Sequence, residues 1–197
     1  MYVVGITGGI GAGKSKVMEY LNRKENTFIL ETDKLAHELM NPGHFAYKKI
    51  IDEFSENILD ENMKIDRKIL GKIVLENNEK LKTLNSIIHP AVKEYIKKDI
   101  LKKAELGYDF YFIEAALLIQ DGYREICDSI WYISATIEVR KERIKHERGY
   151  SDDKANAFLI NQPDDLFYKN GSDIVINNNQ QFDETKTQID AILIKYC

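Results

Sequence analysis

The chain has 197 residues, which is enough for one well-packed domain with small insertions and too few for two independent domains of ordinary size. Its hydrophobic fraction of 44% is typical of a protein that buries a core, but no apolar run is long enough for a secretory signal or a membrane span, so we expect a cytoplasmic protein. The net charge of -4, without a compact basic block, argues against nucleic acid as a partner.

Five short apolar runs predict five buried β-strands. Each run is continuous rather than alternating between apolar and polar residues, which indicates strands that are covered on both faces. The segments between most of them have helical spacing, and strands that alternate with helices form a parallel sheet. We therefore predict a three-layer α/β fold with a five-stranded parallel sheet. The predicted strands are Tyr2–Thr7, Phe28–Leu30, Phe110–Ile113, Ile130–Ile133 and Ile174–Ile176.

Two helical segments without strand signals lie between these strands. The longer one covers residues 35–106, and we predict a helical insertion that is broken at Pro42-Gly43 and at His89-Pro90. A break is expected there because the residue before a proline is pushed out of helical geometry. The second segment, residues 137–168, is rich in charged residues. We predict one domain over residues 1–197 that contains both segments.

A glycine-rich loop follows the first predicted strand. Gly8–Ser15 matches the phosphate-binding pattern of glycine, four residues and Gly-Lys-Ser, and it precedes a predicted helix, as this pattern requires. The backbone N–H groups of such a loop point at phosphate oxygens, and the helix adds its positive N-terminal dipole. Lys14 is predicted to reach the β- and γ-phosphates of ATP, and Ser15 to ligate Mg²⁺. The predicted nucleotide-binding residues are Gly9, Gly11, Ala12, Gly13, Lys14, Ser15 and Lys16.

The loop specifies a phosphate donor but leaves the acceptor open. The sequence contains no Asn-Lys-x-Asp motif for guanine recognition, which disfavours GTP. Asp33 follows the second predicted strand, at the edge where open α/β sheets bind ligands, so its carboxylate could accept the proton of an acceptor hydroxyl. Aspartate is also a favoured helix N-cap, and position alone does not decide between these two roles.

Several separated motifs resemble those of the dephospho-coenzyme A kinase family, and together they extend over nearly the whole chain. Gly5–Ser15 is similar to that family's phosphate loop, and Glu31–Asp33 with a later Pro-Gly is similar to its Asp-x-Asp segment. Ile88–Pro90 with Val92 resembles the His-Pro-x-Val element of the family. Glu114–Gln120 resembles its Asp-x-Pro-Leu-Leu-x-Glu segment, although alanine replaces the proline and glutamine replaces the last glutamate.

The resemblance implies a set of residues for the acceptor. Asp33 occupies the position of the family's proposed base, while Arg67 and His89 would help to hold the acceptor. Taken alone, His89 would more often be a capping or packing residue before a proline. Leu117 would line the acceptor pocket, or else fill the core.

The resemblance also implies residues for the metal and for a lid over ATP. Glu114, at the end of a central strand, would hold Mg²⁺ together with Ser15. Arg143 lies in the segment 137–168 that the family uses as a lid, where it would stabilise charge on the transferred phosphoryl group. An exposed helix face with intrahelical ion pairs is the alternative for Arg143. Phe158 stands where the family often has a further basic lid residue.

The resemblance as a whole implies a kinase that uses ATP and Mg²⁺. Its acceptor would be the ribose 3′-hydroxyl of dephospho-coenzyme A, and its products coenzyme A and ADP, in the final step of coenzyme A biosynthesis. One alternative is a related kinase that acts on a nucleoside monophosphate or another small metabolite. Another is a nucleotide-binding regulatory protein that has lost turnover. We expect a monomer or a weak homo-oligomer that binds neither nucleic acid nor membrane.

Overall fold

The computed structural model describes residues 1–196, so Cys197, the last residue of the predicted domain, lies outside the described residues. The strands β1 to β5 run over Tyr2–Thr7, Thr27–Glu31, Phe110–Glu114, Ser129–Ser134 and Ile174–Asn177. The α-helices α1 to α9 run over Lys14–Leu21, Thr32–Leu39, Phe45–Phe54, Arg67–Glu76, Asn78–Glu105, Ile137–Arg148, Asp152–Ile160, Asp165–Asn170 and Phe182–Leu193. Short 3₁₀ turns occur at Glu56–Ile58 and Tyr123–Glu125.

The five strands form one sheet in the order β2-β3-β1-β4-β5. Strand β1 lies at the centre and pairs in parallel with β3 on one side and β4 on the other, and β4 pairs in parallel with β5. The predicted five-stranded parallel sheet is therefore confirmed. Because parallel strands point the same way, the loops that leave β1, β3, β4 and β5 all begin at one edge of the sheet.

The core of the sheet is apolar on both faces, as the continuous runs predict. The aromatic rings of Phe112 and Trp131 meet edge to face with their centroids 5.7 Å apart, and both side chains are fully buried. Helices α1 and α9 cover this cluster with Leu21 and Ile189, which are also fully buried. Burial of a side chain of this size contributes roughly 1.5–3 kcal/mol, so the cluster fixes the sheet beneath the phosphate loop.

The chain divides into two compact units. The second unit is Glu31–Lys102, and the first consists of the rest of the described chain. The first unit contains the sheet, the phosphate loop and helices α6 to α9. The second unit contains α2, α3, α4 and most of α5, so it overlaps the helical insertion predicted over residues 35–106. Among residues 1–196 no helix is both long enough and apolar enough to cross a membrane.

The predicted helix break at His89-Pro90 is wrong. Helix α5 has 28 residues and continues through Pro90. A proline inside a helix removes one backbone hydrogen bond and crowds the preceding turn, but the many remaining hydrogen bonds of a long helix are kept. Ile88 and Val92 lie one turn apart on either side of Pro90, and both are buried. Their burial anchors the helix on both sides of the proline and offsets its local cost.

Candidate active site

The loop Gly8–Ser15 connects the end of β1 to the start of α1. Gly13 is the N-cap of α1, with a φ of 94° in the left-handed region that favours glycine, and its position leaves the helix without a side-chain cap. The first turn of α1 also contains no acidic residue. The first N–H groups of a helix have no partner within the helix and carry the positive end of its dipole. The start of α1 is therefore built to receive an anion.

Lys14 is held over the loop that it follows. Its Nζ donates a hydrogen bond of 2.7 Å to the carbonyl oxygen of Gly8, and it lies 3.8 Å from Oε1 of Glu114 at the end of β3. The two side chains are only 17% and 19% exposed. Ser15 lies in the same first turn and is exposed. The structure thus brings Lys14 next to Glu114, and it places both at the edge of the sheet where the sequence predicts the phosphates and the metal.

Two loop glycines lie in close contact with side chains from other elements. A Cβ atom at Gly9 would lie less than 3.0 Å from the guanidinium of Arg140, and a Cβ atom at Gly13 would lie less than 3.0 Å from Nδ2 of Asn178. Real Cβ contacts essentially never reach such distances. Because the two glycines have no side chain, Arg140 and Asn178 can contact the backbone of the loop directly.

One of these neighbours, Asn178, was not found by sequence reasoning. It follows β5, is 2% exposed, and donates a hydrogen bond of 2.7 Å from Nδ2 to the carbonyl oxygen of Ala12. The hydroxyl of Thr185 on α9 donates to Oδ1 of Asn178 over 2.8 Å, which fixes the orientation of the amide. The sequence carries no local signal for this contact, because Asn178 and Ala12 are 166 positions apart.

Arg143 binds the same part of the loop. Its guanidinium donates to the carbonyl oxygen of Asn178 over 2.8 Å and to that of Ala12 over 3.4 Å. The side chain therefore does not lie on a solvent-exposed helix face with intrahelical ion pairs, which was the alternative for this residue. It reaches from α6 to the phosphate loop, in the first unit where the nucleotide-binding residues are predicted.

Arg140, one turn earlier on α6, is a buried residue that also contacts the loop. The residue is only 7% exposed, and its Nε donates a hydrogen bond of 2.9 Å to the carbonyl oxygen of Ile10. Its Nη2 donates to Oε1 of Gln162, which also accepts a hydrogen bond of 2.8 Å from the amide of Ile10. Burial lowers the pKa of the Arg140 guanidinium, and the neighbouring Tyr132 and Tyr168 partly oppose that effect.

Two other predicted residues of the first unit differ in their surroundings. The Lys16 ammonium lies 4.6 Å from the centroid of the Phe182 ring on α9, so its side chain makes a cation–π contact with that ring. Leu117 is 47% exposed and is free to meet a ligand. Its neighbour Leu118 is fully buried and packs beneath Gly5, where it fills the core.

The predicted acceptor residues other than Leu117 belong to the second unit. Asp33 is exposed in the first turn of α2. The N-cap of this helix is Glu31, so Asp33 does not have the capping role that was its alternative. Arg67 lines a cavity of about 300 Å³ together with His37, Asp60 and Lys64. His89 is half-buried within α5.

Within residues 1–196, no group of three or more His, Cys, Asp or Glu side chains lies close enough together to hold a metal ion by itself. The Ser15 hydroxyl and the Glu114 carboxylate are both oxygen donors at the same sheet edge. Mg²⁺ prefers oxygen ligands and is usually bound through one or two protein groups together with substrate phosphates. This donor set therefore suits Mg²⁺ that arrives with a nucleotide.

Comparison with known proteins agrees with the motifs. A protein-family model described as dephospho-CoA kinase matches residues 2–184. A dephospho-CoA kinase of Carboxydothermus hydrogenoformans is 38% identical over 194 residues, which cover 98% of this chain and 94% of that protein. The solved dephospho-CoA kinase from Campylobacter jejuni is 26% identical with a TM-score of 0.72, covering 98% of this chain and 96% of that one. The crystal structure of TT1252 from Thermus thermophilus has the same fold, with a TM-score of 0.78 at 23% identity, covering 98% and 97% of the two chains.

Proposed function

The chain belongs to the dephospho-CoA kinase family, and from that premise we propose that it transfers the γ-phosphoryl group of ATP to the ribose 3′-hydroxyl of dephospho-coenzyme A. The products are coenzyme A and ADP, and the reaction is the last step of coenzyme A biosynthesis. The observation that carries the proposal is the uncapped start of α1 beside Lys14, in a chain that the family model matches over residues 2–184. Family membership gives no support to a nucleoside monophosphate as the acceptor.

The phosphate loop and Lys14 would hold the triphosphate of ATP. Phosphoryl transfer depends mostly on positioning and on neutralising charge, so a cation fixed before the substrate arrives is effective. Lys14 is fixed in this way by the Gly8 carbonyl. The first amides of α1 would bind phosphate oxygens, because no side chain caps them.

Mg²⁺ would be held by the Ser15 hydroxyl and, directly or through water, by the Glu114 carboxylate. The proximity of Glu114 to Lys14 supports this assignment, since the lysine and the metal act on the same phosphates. When bound with ATP, the ion neutralises charge that develops on the β- and γ-phosphates.

The acceptor residues are proposed from the family resemblance. Asp33 would orient the 3′-hydroxyl and accept its proton, and its exposed carboxylate is free of a capping bond. Arg67 would bind an anionic group of the acceptor, which its place on the wall of a cavity supports. His89 and Leu117 would complete the acceptor site.

The remaining assignments concern the lid, the oligomeric state and the cellular location of the protein. Arg143 would stabilise charge on the transferred phosphoryl group, and its bonds to Ala12 and Asn178 support a place beside the nucleotide. Residues 137–168 would act as a lid within a single kinase domain. We expect a cytoplasmic enzyme that works as a monomer or a weak homo-oligomer.

An acceptor panel tests the proposal. ADP formation from Mg-ATP is measured with dephospho-coenzyme A, with nucleoside monophosphates and without an acceptor, and CoA formation is followed by mass spectrometry. We expect ADP and CoA to form in equal amounts only with dephospho-coenzyme A. If that compound gives no ADP above the level without acceptor while a nucleoside monophosphate does, the proposed acceptor is wrong.

A further inference from the structure

Arg140 is a buried cation that forms no ion pair with any described residue. Its guanidinium donates to two neutral acceptors, the Ile10 carbonyl and the Gln162 side chain, and none of the described carboxylates lies within ion-pair distance. Asp165, which acts on it electrostatically, is itself paired with Lys169 and accepts a hydrogen bond from Tyr132. The positive charge of Arg140 therefore has no dedicated counter-charge within the described part of the protein.

A buried positive charge such as that of Arg140 is unfavourable unless a negatively charged group binds next to it. Transfer of an ion out of water has a large free-energy cost, which only a close partner of opposite charge with good geometry recovers. An apolar side chain of similar volume would fill the same space without that cost. Packing alone therefore does not account for an arginine at this position.

The contacts of Arg140 point to that reason. The guanidinium lies against Gly9, where an added Cβ atom would fall less than 3.0 Å from it, and it donates a hydrogen bond to the carbonyl oxygen of Ile10, the next residue of the phosphate loop. Gln162 holds it from the other side and bonds the Ile10 amide at the same time. The cation is thus fixed on the loop that holds the phosphates, within the first unit.

We propose that Arg140 is a further phosphate-binding residue of this enzyme, which supplies a fixed positive charge to the terminal phosphate of ATP. The inference rests on the proposed function, since it assumes that the loop holds ATP. It differs from the role proposed for Arg143, whose guanidinium binds the Ala12 and Asn178 carbonyls instead. Arginine suits this task because it stays protonated and can donate to the loop and to a phosphate at once.

The test compares the binding of Mg-ATP and Mg-ADP by isothermal titration calorimetry, using the full chain and the variant Arg140→Met. Loss of a charged hydrogen-bonding partner weakens binding by about ten- to hundredfold. We expect that loss for ATP and less than a threefold change for ADP, because only ATP carries the terminal phosphate. Arg23→Met, which alters an exposed arginine outside residues 137–168, should leave both affinities unchanged. If Arg140→Met does not fold, Arg140→Gln, which keeps an amide donor but no charge, serves for the same comparison.

The outcomes separate this inference from the proposed function. Equal losses for ATP and ADP, or no loss for either, would overturn the role of Arg140 and leave the acceptor panel untouched. If Arg140→Met weakens the binding of ATP but not that of ADP, and the wild-type protein forms no CoA from dephospho-coenzyme A, the role of Arg140 stands and the proposed acceptor falls.

Discussion

At the scale of single residues, Lys14 is prepared for its task before any substrate binds. The Gly8 carbonyl accepts its hydrogen bond, and Oε1 of Glu114 lies 3.8 Å from its ammonium nitrogen. A cation that is already oriented needs no reorganisation when phosphate charge develops, which is how a site of this type lowers the barrier to transfer.

Asp33 carries the proposed proton transfer, and its replacement tests that role. Asp33→Asn keeps the size of the side chain but cannot take a proton, so kcat should fall by about 10²-fold or more, with little change in ATP binding. The matched control is Asp52→Asn, which alters an exposed aspartate of α3 and should leave kcat unchanged. Steady-state ADP formation with dephospho-coenzyme A measures both. Turnover by Asp33→Asn at the rate of the control would show that Asp33 is not the base.

Some site residues could be predicted from the sequence and others could not. Lys14 and Ser15 lie in one contiguous motif that spacing alone identifies, whereas Glu114, at the end of an apolar strand, is implied by the family resemblance of its segment. Arg140 and Asn178 act on the loop through contacts that span 130 and 166 positions. Nothing in the spacing of neighbouring residues records such contacts, because they depend on how the sheet brings the ends of separate elements together.

At the scale of elements, the phosphate loop is held in place by side chains from other parts of the first unit. Helix α6 reaches it through Arg140 and Arg143, the loop after β5 reaches it through Asn178, and α9 supports Asn178 through Thr185. A glycine-rich loop gains conformational freedom when it is unbound, and these bonds restrict that freedom. The loop is therefore positioned by its neighbours as well as by its own sequence.

Replacing the amide donor of Asn178 with an acceptor tests whether this residue supports the phosphate loop. In Asn178→Asp a carboxylate oxygen would face the Ala12 carbonyl within a buried site, and a lost buried hydrogen bond costs about 1–3 kcal/mol. We expect a lower melting temperature and a raised KM for ATP. Thr185→Val, which frees the amide to turn, should have a smaller effect of the same sign. Asn170→Asp at the exposed end of α8 is the control, and a KM for ATP that rises no more than in this control would contradict the proposed support.

The elements themselves were largely predictable. All five predicted strands are present, and their ends differ from the predicted ones by at most one residue. Continuous apolar runs are a strong signal because both faces of a parallel sheet are buried. The break at Pro90 was wrong because a local rule about proline is outweighed by burial on both sides of it.

At the scale of the whole molecule, the candidate residues divide between the two units. The phosphate loop, Glu114, Leu117 and Arg143 belong to the first unit, and Asp33, Arg67 and His89 belong to the second. This division matches the two substrates for which the sequence predicts them, with Leu117 as the exception. The family could be predicted because its motifs occur in both units, whereas lid closure over residues 137–168 stays a prediction, since spacing does not encode motion.

The position of the new phosphate in the product tests the central claim most directly. The enzyme is incubated with Mg-ATP and dephospho-coenzyme A, and the product is examined by phosphorus NMR and by comparison with authentic coenzyme A. We predict one new phosphate monoester on the ribose 3′-oxygen for each ADP released. An unchanged acceptor, or a phosphate attached at any other oxygen, would contradict the assignment.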